Sequence, residues 1–315
     1  MKKFVRKVLF IILITLLFVS IVNFIYIQNN DNIDSLETER FLNVPDEIEI
    51  CNVGSSYGLY DFNYAQYENK YRCFNFALNN QYPSYDRRII EYYKDHLKKD
   101  CIVLIPLSDA LLFGKNNNFQ SINNRYYRFL PAKYIINYDL TTALLIKYFP
   151  SLNTDFSDLI NTIAHPKENE YKNFDESISD YWQKETNEDE VLYDIENRTG
   201  VRLLEDRNRY QDEIDEVCRL IEICKQNGVI PILISTPMTK DFYKIVEQMV
   251  PGYYQDHLDI INEIINKTGV DFYDYGQDER FCEYYNLFRD SDHLNRNGAI
   301  IFTNVIFDEI ISKYK

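Results

Sequence analysis

The chain has 315 residues and a formal net charge of −15, from 34 Lys+Arg against 49 Asp+Glu. That length suits one enzyme-sized domain with a substantial core, and that charge argues against a polyanion-binding surface, so nucleic acid is not expected as a partner. The 27 Tyr and 20 Phe fit an AT-rich coding bias as well as any binding role, and nothing is built on them.

Lys2, Lys3, Arg6 and Lys7 precede Val8 to Ile27, an uncharged stretch interrupted only by Thr15, Ser20 and Asn23 and long enough to cross a bilayer as a helix. Basic residues before it and acidic, Asn-rich sequence after it predict residues 1–7 in the cytoplasm, a span over 8–27 and the remainder outside. The exit reads Asn23-Phe24-Ile25-Tyr26-Ile27, without a small-x-small cleavage site, which favours an uncleaved anchor over a removed signal peptide. Residues 28–46 are polar and lack apolar periodicity, so a stalk is expected there, with the folded domain over 47–315.

Short apolar runs over 48–53, 73–78, 101–107, 229–235 and 270–275 read as strands. Segments 85–99, 207–227, 254–267 and 298–313 carry apolar residues at helical spacing, and Asn227-Gly228 is a helix stop just before "VIPILIST". Strands alternating with helices predict an α/β fold, a three-layer α/β/α sandwich on a mainly parallel five-stranded sheet, with sites at the carboxyl ends of the strands. The rhythm breaks over about 109–200, an aromatic-rich then strongly acidic insertion, expected either as a lid or docking element or as an irregular surface excursion. The six cysteines form no CxxC pair, so neither a zinc site nor a redox motif is suggested. Cys51, Cys73 and Cys101 at strand starts read as small buried hydrophobes, and no disulfide pairing follows. No phosphate loop exists, because "GKNNN" at Gly114 lacks the Ser/Thr and second Gly.

After the first strand, "CNVGSSYGLYDFNY" turns at Gly54 through Ser55 and Ser56. Small hydroxyl residues there are ordinary helix starts, and the local sequence does not decide between a cap and a nucleophile. Near the C-terminus, "FRDSDHLNRNGA" places Asp290 three residues before His293, ahead of an amphipathic helix. A serine becomes a nucleophile only when a base takes its proton, and an Asp at i with a His at i+3 can supply base and orienter from one loop. A calcium loop starting at Asp290-x-Asp292 fails, since the sixth position is Asn295 rather than Gly, while a plain helix cap by Asp290 or Asp292 stays open. Of the other histidines, His96 and His257 lie in surface-helix patterns and are expected to be solvated, and His165 precedes a proline in the insertion.

Taken together, Gly54-Ser55-Ser56 early and Asp290-x-x-His293 late resemble the SGNH (GDSL-type) hydrolases. The resemblance covers roughly 47–108 and 200–315. It is nearest the membrane-anchored, extracytoplasmic members related to the D-alanyl transfer protein of teichoic-acid modification. It implies a flavodoxin-like fold with Ser56 as nucleophile, His293 as base and Asp290 as orienter, and no metal or cofactor. For the oxyanion it implies the Ser56 N–H, with Ser55 filling the turn, Asn80 standing where the family has Gly, and Ser108 or Asp109 where it has Gly-Asn-Asp. Asn80 keeps a backbone donor, whereas the side-chain donor of the family Asn is lost, an omission that typically costs about 2.7–4 kcal/mol of transition-state stabilisation unless another group substitutes. The expected function is a membrane-anchored extracytoplasmic esterase or O-acyltransferase acting on acyl esters of envelope glycans, with a membrane acyl-donor protein as a further expected partner. The other reading is an inactive scaffold subunit of an envelope-modification complex, docking through the insertion.

Overall fold

The five apolar runs become five parallel strands: β1 Ile48–Asn52, β2 Cys73–Asn75, β3 Leu97–Pro106, β4 Ile230–Ser235 and β5 Asp271–Asp274. The computed structural model describes residues 1–29, 37–107, 112–113, 123–164, 182–199 and 209–315. Sheet order is β2-β1-β3-β4-β5, a doubly wound order with its switch point between β1 and β3. The helices used below are α1 Lys2–Asn29, α2 Ser56–Tyr60, α3 Pro83–Tyr93, α4 Leu140–Tyr148, α5 Phe156–Ala164, α6 Glu188–Asp194, α7 Gln211–Gln226, α8 Lys240–Met249, α9 Tyr253–Thr268 and α10 Arg296–Ile306.

Right-handed crossovers put the β1→β2 connection on one face and the connections from β2 onward on the other. On the second face α7 packs on α3 and α9. On the first, α10 closes over the β1→β2 connection: Asn63 N–H donates to Thr303 Oγ1 at 2.9 Å, and the ring of Phe302 lies 5.6 Å from Phe62 and 5.3 Å from Tyr275. Phe302 is fully buried, so Phe302→Ala is expected to cost roughly 3–5 kcal/mol. The result is the predicted three-layer α/β/α arrangement.

The chain divides into two compact units, Met1–Leu42 with Phe119–Ser177, and Asn43–Asn118 with Ile178–Lys315. The sheet and its helices form the second unit. The first contains α1, α4 and α5; α1 is long and apolar enough to cross a membrane. The segment expected as a stalk is described from residue 37. There, within the first unit, Phe41 stacks on Phe129 at 4.1 Å and Glu37 and Thr38 are buried.

Several expectations need correction. The helix predicted over 85–99 ends at Tyr93, because Leu97–Asp100 already belong to β3, whose exposed, charged start conceals it as a strand. β2 stops at Asn75, whose Oδ1 accepts from Ala77 N–H at 2.9 Å and turns the chain away. Cys51 and Cys101 are buried, but Cys73 is half-buried because β2 is an edge strand, and all six cysteines are free. His257, expected in solvent, is buried on the α9 stripe that also carries Ile260, Ile261 and Ile264, with Nε2 3.5 Å from Ser235 Oγ. Helix α8 was not anticipated from its sequence.

Candidate active site

The chain leaves β1 at Gly54, where φ is +110°, a region that favours glycine. Its N–H donates to Asp86 Oδ1 at 2.8 Å, and Gln81 Nε2 donates to the same oxygen at 2.7 Å, so a buried carboxyl from α3 fixes the turn. Burial pushes the Asp86 carboxyl up to about 7. Gly58 lets α2 lie against the strand end: a Cβ there would stand 2.2 Å from Val53 O and 2.7 Å from Ala77 Cβ. Asn52 clamps the same approach, donating to Gly58 O at 2.8 Å and to Asn75 Oδ1 at 3.0 Å.

Ser55 takes the N-cap position of α2, yet neither serine caps the helix. Ser55 makes no capping hydrogen bond, and its buried hydroxyl has no hydrogen-bond partner among the described residues. Ser56 Oγ lies 2.8 Å from His293 Nε2. Across the imidazole, Nδ1 lies 2.9 Å and 3.1 Å from the two Asp290 oxygens. With the Nδ1–H donating to Asp290, the ring when neutral offers Nε2 as acceptor for the Ser56 O–H, and when charged donates its Nε2–H to Ser56 Oγ. Folding therefore joins residues 237 positions apart in one hydrogen-bonded line.

The His293 loop is preformed by its own backbone. Asp290 Oδ1 accepts from the N–H groups of Asp292, at 3.2 Å, and His293, at 2.9 Å, which leaves the carboxylate facing the ring. Asn295 caps α10 through Gly298 N–H at 3.0 Å. Asp61, the C-cap of α2, accepts from Leu294 N–H at 2.9 Å and so ties the serine helix directly to the histidine loop. Desolvation raises Asp61 to about 7. Neither Asp61 nor Asp86 was singled out from the sequence, since each acts on a chain segment remote from it.

A second carboxylate, Asp292, lies 3.3 Å from His293 Nδ1. It accepts from Tyr57 OH at 3.0 Å and is paired with Arg198 at 2.5 Å, while Arg198 also holds Asp194. Burial of the imidazole works to lower its pKa, but Asp290 and Asp292 together overcome that and lift it to about 9. Burial likewise pushes Asp290 upward, and the facing His293 charge pulls it net below the ordinary carboxylate range. Asp290, Asp292 and His293 bring ligand atoms within 4.8 Å of one another, a spacing a cation would accept, but Arg198 already neutralises Asp292 and Nδ1 is engaged by Asp290.

Beside Asp290 opens a cleft of about 340 Å³ lined by Lys184, Thr186, Asp189, Glu190, Tyr193, Asp194 and Arg289. Its wall is α6, capped by Asn187 accepting from Glu190 N–H at 3.0 Å, so this helix of the insertion borders Asp290. Of the remaining expected site residues, Asn80 is exposed with φ +51°, in the turn after β2. Ser108, Asp109 and His165 lie outside the described residues. His96 is part-exposed, with Nδ1 2.9 Å from Asp46, and takes no part in this site.

No family model matches the chain, and no curated protein matches its sequence. Among solved structures it is similar to a Bacteroides fragilis protein named only provisionally as an acylhydrolase, at 10% identity over 91% of this chain and 100% of that one, with a TM-score of 0.43. It is also similar to a Streptococcus pneumonia protein named, equally provisionally, as a platelet activating factor, at 8% identity over 90% of this chain and 92% of that one, with a TM-score of 0.40.

Proposed function

We propose that the chain is a serine acyl-transfer enzyme of the SGNH type, held outside the cytoplasm by α1 as a single-pass anchor. The observation that carries this reading is the 2.8 Å contact between Ser56 Oγ and His293 Nε2, on a ring whose other nitrogen faces Asp290. Ser56 Oγ attacks the carbonyl carbon of an ester while His293 Nε2 takes its proton, and Asp290 holds the tautomer and stabilises the imidazolium. As the first residue of α2, Ser56 has an N–H with no carbonyl partner inside the helix, which suits it to meet the developing oxyanion, with the Asn80 N–H as second donor. Collapse expels the alcohol, which recovers the proton from His293 and leaves an acyl-Ser56 ester. Water or an acceptor hydroxyl then repeats the sequence in reverse and releases acid or a new ester.

An anchor beside the bilayer supports a polymer made there, presented to a cleft whose open surface is mostly apolar although Lys184, Asp189, Glu190 and Arg289 line it. We therefore assign acylated envelope glycans as the substrate class, with a membrane acyl-donor protein as the natural source in the transfer direction. The test is turnover by the full chain, in detergent or vesicles, of small acetyl and longer acyl esters with and without glycan acceptors. Activity abolished by Ser56→Ala is the expected result. Absence of turnover on every ester, with the native fold intact, would replace this reading with the scaffold one.

A further inference from the structure

Within the first unit, α4 and α5 bury none of their residues, although they are strongly apolar. Helix α4 reads LTTALLIKY, aliphatic around most of its circumference, and α5 reads FSDLINTIA, with Phe156, Leu159, Ile160 and Ile163 at helical spacing. Leu140, Leu144, Tyr148, Leu152, Phe156 and Ile160 are exposed, Phe156 to 77%. Helices this short are not stable in water by themselves, and so many exposed apolar side chains within 21 residues call for contact with a partner or a lipid phase.

The attachment to α1 identifies that phase. Helix α1 packs on both α5 and the Pro150–Leu152 turn. Asn23 donates through Nδ2 to Tyr148 O at 3.0 Å, and its Oδ1 accepts from Ser151 N–H at 3.2 Å and Ser151 Oγ at 2.9 Å. Asn23 stands four residues before Ile27, the last apolar position, so at 1.5 Å per residue this turn meets α1 roughly 6 Å inside the end of the apolar stretch. A lone amide at that depth in a spanning helix would be costly in hydrocarbon, and here the turn uses both its ends. Lys147, the only cation in residues 138–164, lies 5.4 Å from the Tyr148 ring centroid on a stem long enough to reach headgroups, Tyr138 and Tyr148 are of the type found at bilayer interfaces, and the three acids of the segment, Asp139, Asp155 and Asp158, are all exposed, as a polar side turned to water requires.

We infer that residues 138–164 form a membrane-interface element, α4, its turn and α5 lying in the outer leaflet beside α1 with their exposed apolar side chains in bilayer lipid. This rests on the reading that α1 spans the membrane. The chain then grips the bilayer twice, by a spanning helix and by a helical pair pinned to that helix through Asn23.

Depth-dependent fluorescence quenching tests it in the full chain, reconstituted in phosphatidylglycerol–phosphatidylethanolamine vesicles doped with phosphatidylcholine brominated at shallow or deep chain positions. The native Trp182 is removed by Trp182→Phe, and Leu144→Trp, Phe156→Trp or Phe18→Trp is added singly. The expected result is that shallow bromines extinguish most of the emission of the Leu144→Trp and Phe156→Trp chains, that aqueous iodide leaves both bright, and that deep bromines quench Phe18→Trp best. Quenching of the first two by iodide and not by bromolipid, with Phe18→Trp still quenched by deep bromines, overturns the interface element and leaves the spanning helix standing. Failure of bromolipid to quench Phe18→Trp overturns the spanning reading itself, and the inference with it. Should the Trp182→Phe background not fold, benzoylphenylalanine at 144 or 156 in the otherwise native chain gives the same decision: photo-adducts of phospholipid mass support lipid contact, and adducts to a protein instead overturn it.

Discussion

Two regions of this chain bury polar side chains, and they do so for opposite ends. At Asn23 the buried group is neutral and both ends of its amide are spent on one turn, Tyr148 to Ser151. Its oxygen accepts twice and its nitrogen donates once to the same turn, so such a group acts as glue. At His293 the buried groups are ionisable, two carboxylates crowd one imidazole nitrogen, and the other nitrogen ends on a serine hydroxyl that is only part-buried. That line is closed at one end and open at the other, which is what proton transfer to a substrate requires. The contrast is between a neutral amide paired at both ends and a titratable line that ends on a part-buried hydroxyl.

The largest effect expected is at the open end. Ser56→Ala should lower kcat for ester turnover by a factor on the order of 10⁴–10⁶, and Asp290→Asn by roughly 10⁴ through loss of the correct tautomer. Ser55→Ala, which removes a hydroxyl with no partner among the described residues, should leave kcat within a few-fold. Equal losses at Ser55 and Ser56 would erase the distinction between turn and nucleophile.

The next effect concerns pH. Under the proposed function His293 acts as a base only when neutral, and its pKa is raised to about 9, so kcat/KM should climb with pH up to about 9 and fall on the acid side. Asp292 contributes to that elevation, so Asp292→Asn should move the acid limb to lower pH while retaining the Asp290 contact. A rate profile in which Asp292→Asn leaves the limb in place would contradict the two-carboxylate account.

Smaller effects fall on the scaffold. Asp61→Ala leaves the buried Leu294 N–H without its acceptor and should cost about 1–3 kcal/mol in urea unfolding of the second unit, whereas Asp61→Asn keeps an acceptor oxygen and should cost less. Asn23→Leu should weaken the hold of the Tyr148–Ser151 turn on α1 by only about 0.6 kcal/mol, read as faster amide exchange at Ser151 in vesicles.

The strand pattern and the pairing of Gly54-Ser55-Ser56 with Asp290-x-x-His293 are legible in the sequence because each half is a compact local signal: an apolar run, a turn glycine, a carboxylate three residues before a histidine. What stays hidden is whatever depends on long range. Asp61 reaches Leu294 and Asp86 reaches back to Gly54, and nothing near either aspartate in the chain announces its partner. Arg198 lies in a stretch read only as acidic insertion, and its pairing with Asp292 depends on the tertiary fold. His257 is a different failure, because its burial is written in the spacing to Ile260, Ile261 and Ile264, and the neighbouring Asp256 draws the eye toward solvent. The grouping of residues 119–177 with the N-terminal segment is likewise carried by contacts between distant stretches and by no local motif.

The most direct measurement of the central claim is labelling of the folded full chain with a fluorophosphonate, followed by peptide mass analysis. A single phosphonylated peptide containing Ser56, lost in Ser56→Ala and strongly slowed in His293→Gln, is the predicted result. A folded chain in which no serine is labelled, or in which Ser56→Ala is labelled as fast as the native protein, would contradict it.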